Sequence, residues 1–200
     1  MREPTETIDE CLRKARNIAE KTGHMEGVKT YIRFAGATAD YAGLEIDPHM
    51  VEGIVSKGYA NGMKAMISFA KEFAGSGLHK SAEYCAPLAQ KYAKEIDKEI
   101  GGDMKAVSDA ISASERFAPE DEQLLDAFSG YVTSTDHYME FMGSAETHVS
   151  DGAPNKIDVS YNIEGRQKEH LEEFNMQKKL YLYFDSRAAK AVRGETGYGK

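Results

Sequence analysis

The chain has 200 residues, of which 41% are hydrophobic and 29% are charged, and its formal net charge is -8. This length suits one domain or at most two small ones and is enough for a sizeable core. No window approaches the roughly 18 uninterrupted apolar residues of a membrane span, and the first residues lack the apolar segment of a secretory signal. The acidic balance argues against general nucleic-acid binding, since phosphate affinity comes from clustered lysine and arginine. We therefore expect a cytoplasmic protein that binds neither a membrane nor nucleic acid.

Helical periodicity predicts about seven helices and no convincing strand. Apolar residues three and four apart, with glycine breaks between the runs, place the helices at about residues 6–21, 25–42, 47–73, 81–100, 103–116, 119–142 and 159–192. The predicted fold is an all-α bundle of six to eight helices. We expect a single domain over residues 1–193, followed by a flexible tail over residues 194–200.

Several residues mark helix ends. Asp47 and Pro48 form a start signal, with aspartate as the N-cap and proline in the first turn. Asp103 is expected to cap the fifth helix, and Pro87 either kinks the fourth helix or marks its true start. Residues 143–158 form the longest stretch without helical periodicity, and loops of this length are often functional or disordered.

The last predicted helix carries the strongest structural signal. Leu180, Tyr181, Leu182, Tyr183 and Phe184 make it apolar or aromatic on every side for more than a turn. A helix at the surface of a protein has a polar side that faces solvent, so we expect a segment that is apolar on every side to be enclosed by neighbouring helices or by another subunit. We expect this long helix to be central in the fold or to form an oligomer interface.

Two glycines lie in the middle of the third predicted helix, at Gly58 and Gly62. Each costs about 1 kcal/mol in helix propensity relative to alanine, so something should offset the cost. Close approach of another helix is the favoured explanation, and the last helix is the expected neighbour. The alternative is room for a ligand beside the glycines, lined by Tyr59, Met63 and Met66.

A metal site is a second possibility for an all-helical chain. His170 and Glu173 lie three apart and therefore on one helix face, with the histidine near the apolar side. His137 and Glu140 share this spacing but point largely away from the apolar stripe. Helical di-iron sites use the reverse order, Glu-x-x-His. A hydrogen-bonded core histidine is therefore the preferred interpretation of His170, and the sequence identifies no cofactor.

The two cysteines, Cys11 and Cys85, each fall on the apolar stripe of a predicted helix. Isolated cysteines in such positions behave as small hydrophobic residues, so we expect buried free thiols. A bridge between the two is the alternative.

The leading functional hypothesis is a non-enzymatic helical interaction or structural protein that forms homo-oligomers. The alternative is a helical enzyme or sensor that binds a metal ion or small ligand between helices. The chain contains no Walker A loop, no GxSxG elbow and no HExxH motif, so an enzyme is the less favoured reading. A third hypothesis with weaker support is that basic residues near the carboxyl terminus contact nucleic acid or an acidic partner, namely Arg187, Lys190, Arg193 and Lys200.

Overall fold

The computed structural model describes residues 3–114, 117–133, 180 and 182–195. Every regular element in these residues is a helix, which confirms the predicted all-α class. The seven helices are α1 (Pro4–Lys21), α2 (Met25–Ala42), α3 (Pro48–Gly75), α4 (His79–Glu95), α5 (Gly101–Ala113), α6 (Asp121–Thr133) and α7 (residues 182–193).

Local sequence signals set several helix ends as predicted. The carboxylate of Asp47 accepts a hydrogen bond from the backbone N–H of His49 at 3.0 Å, so α3 begins at Pro48 behind a side-chain cap. Helix α2 ends at Gly43, whose φ of 65° lies in the left-handed region that favours glycine. Both ends of α2 therefore agree with the sequence.

The α4–α5 region differs from the prediction in two respects. Helix α4 ends at Glu95 because the chain turns at Asp97, a non-glycine residue with a φ of 50°. Asp103 lies in the first turn of α5 and does not cap it, so that prediction is wrong. Its carboxylate instead accepts from the Lys71 ammonium at 2.6 Å, which ties α5 to α3. Pro87 lies inside α4 and does not begin it.

Helix α3 is the central element of the described residues. It packs against α1, α2, α4 and α5, and it contributes more buried residues than any other helix. Its carboxyl-terminal half places Phe69 and Phe73 in an aromatic cluster that includes Phe128 of α6 and Phe184 of α7. Helix α7 contacts α3 through Phe184, whose ring centroid lies 6.3 Å from that of Phe69, and through the ion pair of Arg187 with Glu72.

The described part of the last helix is short. Residues 182–193 are helical, and the remainder of the helix predicted over 159–192 lies outside the described residues, apart from Leu180. The predicted loop at residues 143–158 and the end of the sixth predicted helix beyond Thr133 also lie outside them. Among the described residues, no helix combines the length and apolar character needed to cross a membrane.

Candidate functional site

The glycines of α3 are covered by packed residues. A Cβ added at Gly58 would lie 2.7 Å from the sulfur of Met25, and one added at Gly62 would lie 2.6 Å from the carbonyl oxygen of Gly23 and 3.2 Å from the ring of Tyr92. These atoms belong to the α1–α2 turn, the start of α2 and α4. The predicted close approach is therefore present, but the expected neighbour is wrong: within the described residues the glycines face these elements and not α7.

The residues proposed to line a ligand pocket are part of this packing. Tyr59, Met63 and Met66 are all buried in the core. The ring of Tyr59 lies 5.6 Å from that of Tyr92 between centroids, and the Lys29 ammonium lies 5.4 Å from the Tyr59 ring. The arrangement stabilises the contact of α3 with α2 and α4.

Asn61 holds the end of α1 against α3. Its side-chain amide donates to the backbone carbonyl oxygens of Ala19 at 2.9 Å and Glu20 at 3.3 Å. These carbonyls belong to the last turn of α1, whose acceptors have no partner within their own helix. A buried polar side chain therefore serves as a cap supplied by another helix, and Gly62 beside it lets the backbones approach.

His24 has a structural use of the same kind. Its Nδ1 accepts from the backbone N–H of Gly27 at 3.3 Å and so caps α2. Its Nε2 lies 2.8 Å from the carbonyl oxygen of Tyr131. Because Nδ1 accepts, Nε2 carries the proton and donates to that oxygen. The histidine joins the α1–α2 turn to α6.

Asp121 is a fully buried carboxylate on the first turn of α6. It accepts from the backbone N–H groups of Lys80 at 2.7 Å and Ser81 at 3.1 Å, and from the Ser81 hydroxyl at 2.7 Å. These N–H groups belong to the first turn of α4, so the α6 carboxylate caps α4. Lys80 also forms an ion pair with Glu122, which lowers the pKa of the Glu122 carboxyl through the hydrogen bond and charge of the lysine.

The residues of the predicted metal site, His170 and Glu173, lie outside the described residues. Among the residues that the structure does describe, no group of three or more histidine, cysteine, aspartate or glutamate side chains is arranged to hold a metal ion.

Neither Cys11 nor Cys85 forms a disulfide bond. Cys85 is buried in the core, and burial raises the pKa of its thiol well above the ordinary value. Cys11 is half-buried on α1. The prediction of unbridged cysteines is confirmed, although only Cys85 is fully enclosed.

The apolar segment at the start of α7 is divided between core and surface. Phe184 is 1% exposed, whereas Leu182 and Tyr183 are 56% and 52% exposed. Leu180 is half-buried, and Tyr181 lies outside the described residues. The chain itself therefore encloses one side of this segment and leaves two large apolar side chains at the surface.

A polar groove lies between α1 and α7. It has a volume of about 320 Å³, and no sequence pattern predicted it. The described residues that line it are Arg13, Lys14, Asn17, Ile18, Lys21, Thr22 and Asp185. Of these described residues, all except Asp185 come from the carboxyl-terminal half of α1 and the turn after it, and Asp185 of α7 lies on the opposite wall.

The sequence matches no protein-family model, and it shows no significant similarity to a curated protein or a solved structure.

Proposed function

We propose that the chain is a non-enzymatic helical interaction protein that self-associates through the exposed apolar side of α7. The observation that carries the proposal is the exposure of Leu182 and Tyr183 beside the fully buried Phe184. Exposed single apolar residues are common, but two large adjacent ones on a helix that is fixed to the core form a surface suited to a partner.

The core holds α7 in place. The ring centroid of Phe184 lies 5.0 Å from that of Phe128, 5.5 Å from that of Tyr131 and 6.3 Å from that of Phe69. Since this cluster joins α3, α6 and α7, the neighbouring exposed residues project from a supported helix. A surface that is already ordered loses little conformational entropy on binding.

Tyr183 is further oriented by Arg187. The guanidinium carbon lies 5.6 Å from the centroid of the tyrosine ring, and the guanidinium also forms an ion pair with Glu72 of α3. Tyrosine and arginine are enriched at the centres of protein interfaces, where they combine apolar contact with hydrogen bonding. The exposed side of α7 thus has the composition of an interface centre.

The contribution of these residues can be estimated. Full burial of a large apolar side chain is worth about 1.5–3 kcal/mol, and roughly half of that area is still exposed at Leu182 and Tyr183. In a symmetric dimer each residue occurs twice, so the four side chains contribute about 3–6 kcal/mol. A stable interface buries about 1,200–2,000 Å² in total, so these residues form its centre and their surroundings form its rim.

The test is the mass in solution of wild-type and paired variants. Light scattering during size-exclusion chromatography, from about 1 to about 100 µM, covers the range of a micromolar Kd. We expect wild-type mass above the 22.1 kDa of one chain, and a monomer for Leu182→Gln/Tyr183→Gln. The matched control is Phe34→Gln/Tyr41→Gln on α2, which also replaces two large exposed side chains, both of them aromatic.

Phe34 and Tyr41 are 43% and 93% exposed, so their replacement should not disturb the core. A monomeric wild-type protein at every concentration would contradict self-association. An oligomer that persists in the α7 variant and dissociates in the α2 variant would contradict the proposed interface. The alternative function, with a ligand beside Gly58 and Gly62, has less support because Met25 and Tyr92 occupy that space.

A further inference from the structure

The groove between α1 and α7 differs in charge from the protein as a whole. Its lining includes three cationic side chains, Arg13, Lys14 and Lys21, and one anionic side chain, Asp185. Three positive charges and one negative charge give the described lining residues a formal charge of +2, whereas the whole chain carries -8. Cationic side chains lining a concave site raise the local concentration of anions.

Helical spacing explains why the cations converge. Arg13, Asn17 and Lys21 are four residues apart and form one row on α1, and Lys14 and Ile18 form the adjoining row. Both rows face the groove, so two turns of one helix supply a guanidinium, an amide and two ammonium groups. The floor is closed by the half-buried Ile18 and the buried Thr22.

Glu10 lies beside two of the cations that line the groove. The Glu10 carboxylate lies 3.5 Å from Lys14 Nζ and 3.9 Å from Arg13 Nη2, near the long end of ion-pair distances. The Lys14 ammonium also lies 5.4 Å from the centroid of the Tyr31 ring. A guanidinium has five N–H donors, and the carboxylate of Glu10 is 3.9 Å from Arg13, so Arg13 has donors that can contact a ligand.

We propose that this groove binds a small phosphomonoester that also carries hydroxyl groups, as a sugar phosphate does. Arg13 and Lys21 contact the phosphate, because a guanidinium presents paired N–H groups that match phosphate oxygens and a phosphomonoester carries a charge of about -1.5 to -2. Asn17 and Asp185 contact the hydroxyl groups. A carboxylate has about four lone-pair sites, so Asp185 can accept from a ligand in addition to a protein group.

The size of the groove agrees with this class. Its volume of about 320 Å³ lies at the small end of the roughly 300–1,000 Å³ typical of ligand sites. The polar lining favours a hydroxylated compound over an apolar one, since apolar ligands need apolar walls. The site uses residues of α1 and Asp185 of α7, whereas the proposed self-association rests on Leu182 and Tyr183, so each proposal is tested by different substitutions.

Calorimetric titration with glucose 6-phosphate tests the assignment, with glucose and inorganic phosphate as the two partial ligands. We expect the wild-type protein to bind the ester and to bind glucose at least tenfold more weakly, because glucose lacks the charge. Arg13→Gln/Lys21→Gln should weaken binding of the ester at least tenfold, since both cationic groups that contact the phosphate are removed. Both side chains are exposed, so the variant should fold.

The matched control is Lys57→Gln/Lys98→Gln, which removes the same charge from exposed positions on α3 and after α4. We expect its affinity to stay within twofold of wild type. No binding of the ester at millimolar concentration would overturn the proposal, as would equal weakening in the control, which indicates general charge attraction. Equal affinity for inorganic phosphate and the ester would overturn the hydroxyl contacts. Binding should persist in the monomeric α7 variant.

Discussion

Replacing Gly62 with alanine tests whether the contact between α3 and the α1–α2 turn stabilises the fold. Alanine at a helix interior gains about 1 kcal/mol in propensity over glycine, so an open site would be stabilised. At Gly62, however, the new Cβ would lie 2.6 Å from the carbonyl oxygen of Gly23 and 3.2 Å from two ring carbons of Tyr92. Favourable contacts between such atoms begin at about 3.5 Å.

The backbone must therefore move by nearly 1 Å to admit one methyl group. Overpacking of a core typically costs about 1–3 kcal/mol, and we expect the upper part of this range. The obstructing atom is the backbone carbonyl oxygen of Gly23, which cannot rotate away as a flexible side chain could. The backbone beside it is held by two hydrogen bonds of 2.9 Å, one from the Asn61 amide to the carbonyl of Ala19 and one from the Gly23 N–H to the carbonyl of Ile18. After subtraction of the propensity gain, Gly62→Ala should lower the free energy of unfolding by about 1–2 kcal/mol.

Gly53→Ala is the matched control, because Gly53 lies in the same helix and a Cβ there meets no atom within 4 Å. It should raise the free energy of unfolding by about 0.5–1 kcal/mol. Urea unfolding followed by circular dichroism at one protein concentration measures both. With a slope of about 2 kcal/mol per molar urea, the midpoints should differ by about 1 M. Equal or higher stability of Gly62→Ala relative to Gly53→Ala would refute the reasoning.

Three further outcomes follow from buried groups. Asp121→Ala should lower the free energy of unfolding by about 2–4 kcal/mol, because two backbone N–H groups and the Ser81 hydroxyl lose their acceptor; Asp121→Asn, which keeps one oxygen, should cost less in the same urea assay. Iodoacetamide should alkylate Cys11 before Cys85 in the native protein, since burial hinders access to Cys85 and raises the pKa of its thiol. In urea the two cysteines should react at similar rates, and peptide mass spectrometry measures the extent of alkylation at each. Burial raises the pKa of the Tyr92 hydroxyl to about 12. Between pH 10 and 12 this hydroxyl is therefore ionised in the unfolded state but not in the folded state, and the free energy of unfolding falls as the pH rises. Over the same pH range the free energy of unfolding of Tyr92→Phe should fall less than that of the wild-type protein.

Sequence patterns predicted the elements whose signals are local. Asp47 and Gly43 lie next to the helix ends that they determine, so their roles follow from a few neighbouring residues. The helical class follows from the spacing of apolar residues along each segment. The glycines of α3 also indicated that some element approaches closely, because their cost needs an offset.

Sequence could not identify the partners that lie far along the chain. The carboxylate of Asp121 caps α4 at Ser81, forty positions earlier in the chain, and no local pattern indicates that contact. The contact of Gly23 with Gly62 depends on how α1 and α2 turn back onto α3. The cations of α1 become a site only where α7 provides the facing wall at Asp185.

The close backbone contact between Gly23 and Gly62 also has an evolutionary consequence. A Cβ on Gly23 would lie 2.0 Å from the backbone nitrogen of Gly62, and Gly23 has a φ of +67°. A substitution at either position therefore acts on both, and drift at one constrains drift at the other. In descendants of this chain we expect the two positions to retain glycine jointly, whereas Gly53, Gly101 and Gly102, which face open space, should vary independently.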